Sequence, residues 1–453
     1  MAHPQRLVTG DEDLPTAGRL AALWDHLGIG RAHVASQVPA DIAGLATEQA
    51  GRLAGIVACV PTRLDPAPFD AVADRLLMIS GATGPTVGTT TRAAERLPAA
   101  ERVVLDGYDA PGWADVAADR GDELVGAMIG FVDRLTARGI VADTPRPGAR
   151  EGRHAGITYS IEGNGPALLL LPFFLAPSQW QPIVPRLAGR FSVVTLGGPH
   201  LGGVAALEDR ARAPTYRALF RTLIDTLAPS PDAAILDVGC GAGSLDRLLA
   251  QRLQPGQRLT ALDTNPFLLR EAQALAAADG LADRIRFIDG NAERLPFEDG
   301  AFECAFSVTV LEECDADRAI AELVRVVRPG GRIGVVVRAI DMPQWWNLPA
   351  PEALRRKIDV PPQSVGAGGV ADASLYRRLQ QAGLRDLVCF PSLVTLDRPD
   401  GPIWRYREDH VLSLLAPDEI PAWHALRDAA YAEELLFMAH PMHCAVGTKP
   451  AYN

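Results

Sequence analysis

A glycine-rich turn followed by a distant acid is the part of this sequence best suited to binding a ligand. Residues 235–244 read Ile-Leu-Asp-Val-Gly-Cys-Gly-Ala-Gly-Ser, an apolar strand that runs into three alternating glycines and a helix. Glycines let the backbone approach a ligand because no Cβ intervenes. The next strand-like run, 258–262, ends in Asp263, about twenty positions further on, where a carboxylate can accept both hydroxyls of a ribose. These residues predict a site for a ligand that carries a ribose.

Three further motifs follow in order along the chain. Residues 290–297 read Gly-Asn-Ala-Glu-Arg-Leu-Pro-Phe, residues 302–308 have the pattern of a buried strand, and residues 322–331 read Glu-Leu-Val-Arg-Val-Val-Arg-Pro-Gly-Gly. With the glycine turn, they make residues 229–453 resemble the class I S-adenosylmethionine-dependent methyltransferases. The resemblance implies a Rossmann-like α/β fold for this half. A Rossmann dehydrogenase is the alternative, because a glycine turn alone does not separate the two classes.

The resemblance implies S-adenosylmethionine as the cofactor and gives roles to individual residues. Asp237 would fix the methionine end, Asp263 the ribose, and Asn291 the adenine amino group, where the family usually has Asp. The carboxylate of Asp237 would also repel a pyrophosphate at close range, which disfavours a dinucleotide. The predicted cofactor-binding residues are Asp237, Gly239, Cys240, Gly241, Gly243, Asp263, Thr264, Asn291, Ala292 and Ser307.

The acceptor site is expected beside the cofactor, beyond the carboxyl ends of the strands. Trp345 and Trp346 are candidates for stacking on a flat acceptor, or for anchoring a cap on the core. Glu312 and His443 are weak candidates for a general base. The alternatives are an exposed acid at a helix start and a structural histidine. No metal site is predicted.

The first half of the chain has a different pattern. Strands and helices alternate over residues 18–140, which predicts a parallel sheet, and this region resembles the C-terminal half of an α/β-hydrolase. The nucleophile elbow G-x-S-x-G of that family aligns with residues 35–39, which places Gln37 at the nucleophile and Ser36 one position away. No carboxylate follows Gly81 and no histidine follows Gly107 where the triad would need them. We therefore expect a catalytically inactive domain.

Residues 154–228 resemble the N-terminal half of the same fold, so the two halves occur in reversed order. The Gly-Asn-Gly at 163–165 predicts a hairpin between the strands on either side. A circularly permuted single domain is favoured, because neither half alone could cover its sheet. A truncated hydrolase followed by the start of another is the alternative. The predicted organisation is hydrolase-like segments at 1–143 and 154–228, and a methyltransferase domain with cap insertions at 229–453.

Composition narrows the range of partners. The 453 residues carry a net charge of −11. The sequence has no block rich in lysine or arginine, which argues against nucleic acid as a partner. The longest apolar run, 167–176, is too short to span a bilayer, and the N-terminus shows no signal segment. Six scattered cysteines without a C-x-x-C are typical of free thiols, so we expect a cytoplasmic protein without a membrane partner. A homodimer remains open.

These observations predict a methyltransferase acting on a small molecule, in particular a specialised metabolite, with the hydrolase-like region as scaffold or substrate cover. Two alternatives stay open. One is a scaffold or interaction protein that binds S-adenosylmethionine without methylating. The other is a bifunctional hydrolase–methyltransferase. The sequence leaves open the acceptor and whether oxygen, nitrogen or carbon is methylated.

Overall fold

The computed structural model describes residues 14–109, 115–148, 150–174, 176–399 and 401–451. The chain divides into two compact units, Met1–Ala205 and Ala206–Asn453. The predicted absence of a signal segment concerns residues that lie outside the described ranges, as does residue 149 of the linker. No helix within the described ranges is both long and apolar enough to cross a membrane.

Unit 1 alternates strands and helices, as the sequence pattern predicts. Its elements, with short 3-10 turns between some of them, are α1 (Thr16–Leu27), β1 (Ala32–Ser36), α2 (Ala40–Glu48), β2 (Leu53–Cys59), β3 (Leu76–Thr83), α3 (Pro85–Arg96), β4 (Glu101–Asp109), α4 (Val116–Asp119), α5 (Gly121–Ala137), β5 (Glu151–His154), β6 (Ile157–Glu162), β7 (Ala167–Leu170), α6 (Val184–Ala188) and β8 (Ser192–Gly197). All eight strands belong to one sheet of order β4-β3-β2-β1-β7-β8-β6-β5. The strands before residue 140 and those after residue 150 therefore share a sheet.

The central strands of this sheet are buried on both faces. Every residue of β1 and of β2 is buried, which is the burial that a parallel sheet covered by helices produces. One core contains Leu20, Leu23 and Trp24 of α1, and the other contains Phe131 and Leu135 of α5. The apolar faces of these helices thus hold the sheet from opposite sides.

The hairpin predicted at residues 163–165 is wrong. β6 and β7 are not neighbours, because β8 lies between them, antiparallel to β6 and parallel to β7. β7 pairs instead with β1 on its other edge, through His33–Ala35 against Leu168–Leu170. The glycines bend the chain, but β7 does not return beside β6. All four residues of β7 are apolar and buried, which favours a place in the middle of the sheet, between β1 and β8.

Unit 2 contains a second sheet. Its elements are the end of α7 (Gly202–Arg212), then α8 (Pro214–Leu227), β9 (Ala234–Val238), α9 (Ser244–Ala250), β10 (Arg258–Asp263), α10 (Pro266–Ala278), β11 (Ile285–Asp289), β12 (Phe302–Val308), α11 (Ala316–Val326), β13 (Val327–Arg338), β14 (Trp345–Trp346), α12 (Glu352–Ile358), α13 (Ser374–Gln381), β15 (Arg385–Cys389), β16 (Ser392–Leu396), α14 (Gly401–Leu414), α15 (Ile420–Ala432) and β17 (Met438–Thr448). The order is β11-β10-β9-β12-β13-β17-β14, with β15 and β16 also paired to β17. Strands β9 to β13 are parallel and β17 is antiparallel, a Rossmann-like arrangement.

The boundary between the units differs from the predicted one at 228. Helix α8 belongs to unit 2, because its buried face joins the core that contains Ile235 of β9 and Phe306 of β12. The ring of Phe220 meets that of Phe306 edge to face at 5.7 Å. The sequence pattern of α8 shows an apolar face but does not show which sheet covers that face.

The two insertions of unit 2 pack on each other around tryptophans. The rings of Trp404 and Trp423 lie edge-on to Trp346, at 5.4 and 4.9 Å. All three indoles are buried, and the carboxylate of Glu408 accepts hydrogen bonds from the Nε1 atoms of Trp404 and Trp423, at 3.1 and 3.0 Å. This cluster makes the insertions a small core of their own.

Candidate functional site

The glycine turn after β9 is held by the end of the neighbouring strand β10. The N–H groups of Gly239 and Cys240 both donate to the Leu262 carbonyl, at 2.7 and 2.9 Å. The N–H of Gly241 donates to Oδ2 of Asp263 at 2.8 Å, and Oδ1 of the same carboxylate accepts from Asn265 at 2.9 Å. Asp263 therefore orders the turn, while its remaining lone pairs can still accept ligand hydroxyls.

Backbone geometry explains why glycine is needed in this turn. Gly239 and Gly241 have φ values of 85° and 56°, in the left-handed region that other residues rarely adopt. A Cβ on Gly239 would also collide with the side chain of Val310. A larger residue at position 239 would thus have to displace the loop that follows β12.

Asp237, at the end of β9, faces a second carboxyl group that the sequence interpretation missed. Burial raises the pKa of Asp237 well above its usual range, and repulsion from Asp246 raises that pKa further. Burial also raises the pKa of Asp246, on α9. Neither carboxyl oxygen of Asp246 has a hydrogen-bond donor among the described residues, so two negative charges at this place are unfavourable. In the sequence, Asp246 has the pattern of an ordinary acid in the first turn of a helix.

The loop that carries Asn291 is fastened by the Glu-x-x-Arg motif of α11. Glu322 accepts a hydrogen bond from the Leu295 N–H at 2.7 Å, and Arg325 donates to the carbonyls of Leu295 and Phe297 at 2.9 and 2.7 Å. Asn291 itself is exposed, and its Oδ1 accepts from the Glu293 N–H at 2.8 Å. One lone pair of this amide oxygen remains for a further donor.

The other predicted cofactor residues differ in their surroundings. Thr264 is exposed next to Asp263, and Ala292 is half-buried. Ser307 is fully buried, and its hydroxyl donates to the Val238 carbonyl at 2.9 Å. This hydroxyl joins β12 to β9 inside the sheet, and the contact of Ser307 with the cofactor stays a prediction.

Charged side chains from four distant segments meet near the carboxyl ends of β12 and β13. Arg210 donates to the Thr309 hydroxyl at 2.7 Å, and the Arg338 guanidinium lies 3.6 Å from Oε1 of Glu312. His440 lies on β17, and its pKa is well below the usual value because it is buried near Arg407, Arg210 and Arg338. The imidazole is therefore neutral at physiological pH. The sequence shows these residues only as isolated charges.

The two predicted base candidates have strong structural partners. His443 is buried, with Nε2 2.8 Å from Oδ1 of Asp341 and Nδ1 2.9 Å from the Tyr376 hydroxyl, so both ring nitrogens are engaged. Glu312 is fully buried, and its Oε1 accepts from the Arg338 N–H at 2.8 Å. Burial raises the pKa of Glu312. Glu312 is thus not the exposed acid at a helix start that the alternative interpretation expected.

The adjacent tryptophans have different surroundings. Trp346 is fully buried, and its Nε1 donates to the Ile358 carbonyl at 2.9 Å. Its ring lies in the core of the insertions, an environment that fits the alternative of anchoring a cap. Trp345 is 45% exposed and makes an edge contact with Phe437. It remains available for stacking.

The residues around the glycine turn fit S-adenosylmethionine better than a dinucleotide. The N–H groups of Gly239, Cys240, Gly241 and Gly243 already have protein acceptors, whereas a pyrophosphate site needs such groups aimed at the ligand. The buried acid Asp237 at the strand end suits an ammonium group and repels a phosphate. Surface clefts of about 250 and 430 Å³ lie elsewhere, along α8 and α9.

Comparisons with known proteins concern the second half of the chain. Residues 235–331 match a family described as a methyltransferase domain. The O-methyltransferase resE of Aspergillus sclerotiorum is 31% identical over 211 residues, which are 46% of this chain and 74% of that protein. Nocamycin O-methyltransferase of Saccharothrix syringae is 30% identical over 172 residues, 38% of this chain and 56% of that protein.

The matches differ in extent. The chain spans about half the length of several curated relatives that it matches. Among solved structures, the YcgJ protein of Bacillus subtilis aligns at 19% identity with a TM-score of 0.37, over 52% of this chain and all of that one. The domain match and the extent of the likeness to resE show the family. The chain belongs to the S-adenosylmethionine-dependent methyltransferases.

Proposed function

We propose that this chain transfers the methyl group of S-adenosylmethionine to a small-molecule acceptor at the carboxyl edge of the second sheet. The observation that carries the proposal is the glycine turn ordered by Asp263, with the buried Asp237 at its start. When bound, S-adenosylmethionine supplies a methyl group on a sulfonium, which an acceptor atom can attack. The protein has to bind, align and exclude water around that group.

Each residue of the site has a distinct task in this proposal. Asp263 accepts the ribose hydroxyls, Asp237 receives the ammonium of the methionine end, and Asn291 accepts from the adenine amino group. Asp237 can do so because a cation nearby favours its ionised form. His440 is neutral and not hydrogen-bonded within the described ranges, but burial and the nearby arginines disfavour its protonated form, so we do not assign it as the general base.

The test combines binding and transfer. We expect Asp263→Ala to weaken S-adenosylmethionine binding by about 1.5–3 kcal/mol, the scale of hydrogen bonds to a charged group. Calorimetry measures the loss, and Asp283→Ala, which removes an exposed acid in the same unit, serves as the control. Labelled S-adenosylmethionine added to metabolite extracts should yield a labelled small molecule. Unchanged affinity in Asp263→Ala would refute the site.

We further propose that unit 1 is an α/β-hydrolase-like scaffold with permuted halves and no catalytic triad. The shared sheet supports it, because β1, which precedes the elbow position, lies beside β7. At that position Gln37 is buried, and its Oε1 accepts from the Phe174 N–H at 2.9 Å. In the hydrolase family an N–H from the corresponding loop helps form the oxyanion hole. In this chain the Phe174 N–H is bound to the Gln37 side chain, so it is not free to bind an oxyanion.

Reactivity of Ser36 separates this scaffold from an active hydrolase. Ser36 is fully buried, and its Oγ accepts from the Val38 N–H at 2.9 Å. We expect no labelling of the intact protein by a fluorophosphonate, and no difference between wild type and Ser36→Ala. Labelling that disappears in Ser36→Ala would show an active hydrolase.

A further inference from the structure

Arg407 is a buried cation without an anion among the residues that the structure describes. Only 5% of the residue is exposed, and among the described residues its guanidinium has no hydrogen bond and no ion pair. The adjacent Glu408 is engaged by Trp404, Trp423 and Arg427. Burial lowers the pKa of Arg407 to about 10, so it stays charged at neutral pH. A buried charge is costly unless it is paired, which points to a partner from outside the chain.

His440 shares this environment and also lacks a partner. It is 5% exposed, and its Nδ1 is buried without a hydrogen bond inside the described ranges. The main chain brings it beside Arg338, because the N–H of Ala339 donates to the Pro441 carbonyl at 3.1 Å. Arg210, Arg338 and Arg407 are the charged groups that depress the pKa of His440. An imidazole N–H can donate to an anion in either tautomer.

The arginines of the cluster differ in their partners. Glu312 and Glu313 each place a carboxylate oxygen 3.6 Å from the Arg338 guanidinium, which also donates to the Ser364 carbonyl at 2.7 Å. Arg210 is bound to the Thr309 hydroxyl, which is neutral. Among the described residues, no carboxylate lies within ion-pair distance of Arg407, so this buried guanidinium is the one left for an external anion. Arginine is the residue best suited to bind carboxylate and phosphate, because its planar group presents several donors.

We propose that Arg338, Arg407 and His440 form a recess that receives an anionic group, a carboxylate or a phosphate, of the methyl acceptor. This proposal rests on the methyl-transfer function proposed above. The recess lies toward the glycine turn, because the Arg338 N–H binds Glu312 in the segment after β12, and Val310 of that segment lies against Gly239. An acceptor anchored there would hold its nucleophile near the cofactor. The competing occupant is the carboxylate of the cofactor itself.

The experiment separates the two occupants. The full chain is first saturated with S-adenosylhomocysteine, whose own binding tests the cofactor site. Acetate, benzoate and inorganic phosphate are then titrated by calorimetry, with acetamide and benzamide as neutral counterparts. We expect at least one anion to bind the complex about tenfold or more tightly than its neutral counterpart, the ratio that a charge-assisted hydrogen bond supplies. Preference for phosphate or for a carboxylate identifies the kind of anionic group.

Variants locate the anion. Arg407→Gln should weaken anion binding by about tenfold or more, whereas Arg407→Lys should keep part of the affinity because the charge remains. The matched control is Arg377→Gln, which removes an exposed arginine of the same unit and should bind anions like wild type. Cofactor binding should be unchanged in all three.

Two outcomes overturn the recess while the methyltransferase proposal stands. One is a complex with S-adenosylhomocysteine that binds no anion better than an amide. The other is Arg407→Gln that binds anions like wild type. Loss of S-adenosylhomocysteine binding in wild type would instead count against the cofactor site. The comparison of anions with amides uses the wild-type chain, so it holds even if a variant fails to fold.

Discussion

At the scale of single residues, two buried acids flank the glycine turn, Asp237 before it and Asp246 after it, and we expect them to make cofactor binding sensitive to pH. Asp237 and Asp246 both have raised pKa values because they are buried, and their mutual repulsion disfavours two negative charges. Near neutral pH the pair therefore holds a proton. An ammonium group placed beside Asp237 favours the ionised carboxylate, so ligand binding should drive that proton off.

We expect S-adenosylmethionine binding to release a proton and to weaken as the pH falls below the raised pKa of the pair. Below that pKa the ligand has to displace a proton before it meets a carboxylate. Calorimetry in buffers of different ionisation enthalpy counts the protons released. Asp246→Asn should reduce the release, because the repulsion that holds the proton is gone, whereas Asp283→Asn should not. Binding with no proton exchange in wild type would contradict this account.

At the scale of elements, helix α11 supports the loop that follows Asn291, a residue proposed to bind the cofactor. Its Glu322 and Arg325 bind main-chain groups of the loop at 295–297, and that loop follows directly from Asn291. The Arg325 hydrogen bond lowers the pKa of Glu322, so the pair stays ionised at neutral pH. The motif is therefore a support for the loop, and its effect on the ligand is indirect.

Arg325→Ala should lower cofactor affinity about threefold to tenfold, since the loop that carries Asn291 loses two of its hydrogen bonds. Stability of unit 2 should fall by about 1–3 kcal/mol, because the freed carbonyls and Glu322 lose a charged partner. Calorimetry and denaturant unfolding measure the two effects. Arg377→Ala, which removes an exposed arginine of α13 in the same unit, is the control and should change neither. Wild-type affinity in Arg325→Ala would show that the loop needs no such support.

At the scale of the whole molecule, the boundary at Ala205/Ala206 assigns helix α8 to the methyltransferase sheet. Six side chains of α8 are buried in the core of that sheet: Tyr216, Leu219, Phe220, Leu223, Ile224 and Leu227. Burying one large apolar side chain contributes about 1.5–3 kcal/mol, whereas whole domains are stable by about 5–15 kcal/mol. Unit 2 should therefore not survive the loss of α8.

A fragment of residues 206–453 should unfold cooperatively, whereas one of residues 229–453 should be insoluble or molten. The shorter fragment exposes the apolar side chains that α8 covers and also lacks Arg210. A fragment of residues 1–205 should unfold cooperatively as well, since it contains the complete eight-stranded sheet. Circular dichroism during heating distinguishes the cases. If the fragments 206–453 and 229–453 melted identically, α8 would lie outside the core.

The sequence by itself determined the features that depend on neighbouring residues. The turn at Gly239 and Gly241 can be predicted from the sequence, because a turn with positive φ needs glycine. Asp263 can be predicted as a ligand-binding residue, because it ends the next strand. The alternation of strands and helices likewise predicted a parallel sheet in each half. The role of Trp346, by contrast, was open, because an apolar ring in an insertion suits a ligand and a core equally well.

Only the tertiary structure decided the features that depend on sheet order. β8 lies between β6 and β7, which no local turn signal can show, since Gly163–Gly165 forms a tight turn in either arrangement. Arg210, Arg338, Arg407 and His440 are far apart in the chain, and they meet because α7, β13, α14 and β17 converge at one edge of the second sheet. The residues of one turn are enough to predict the backbone geometry of that turn. Which buried charges face each other is set by long-range packing, so the sequence presents them as unrelated residues.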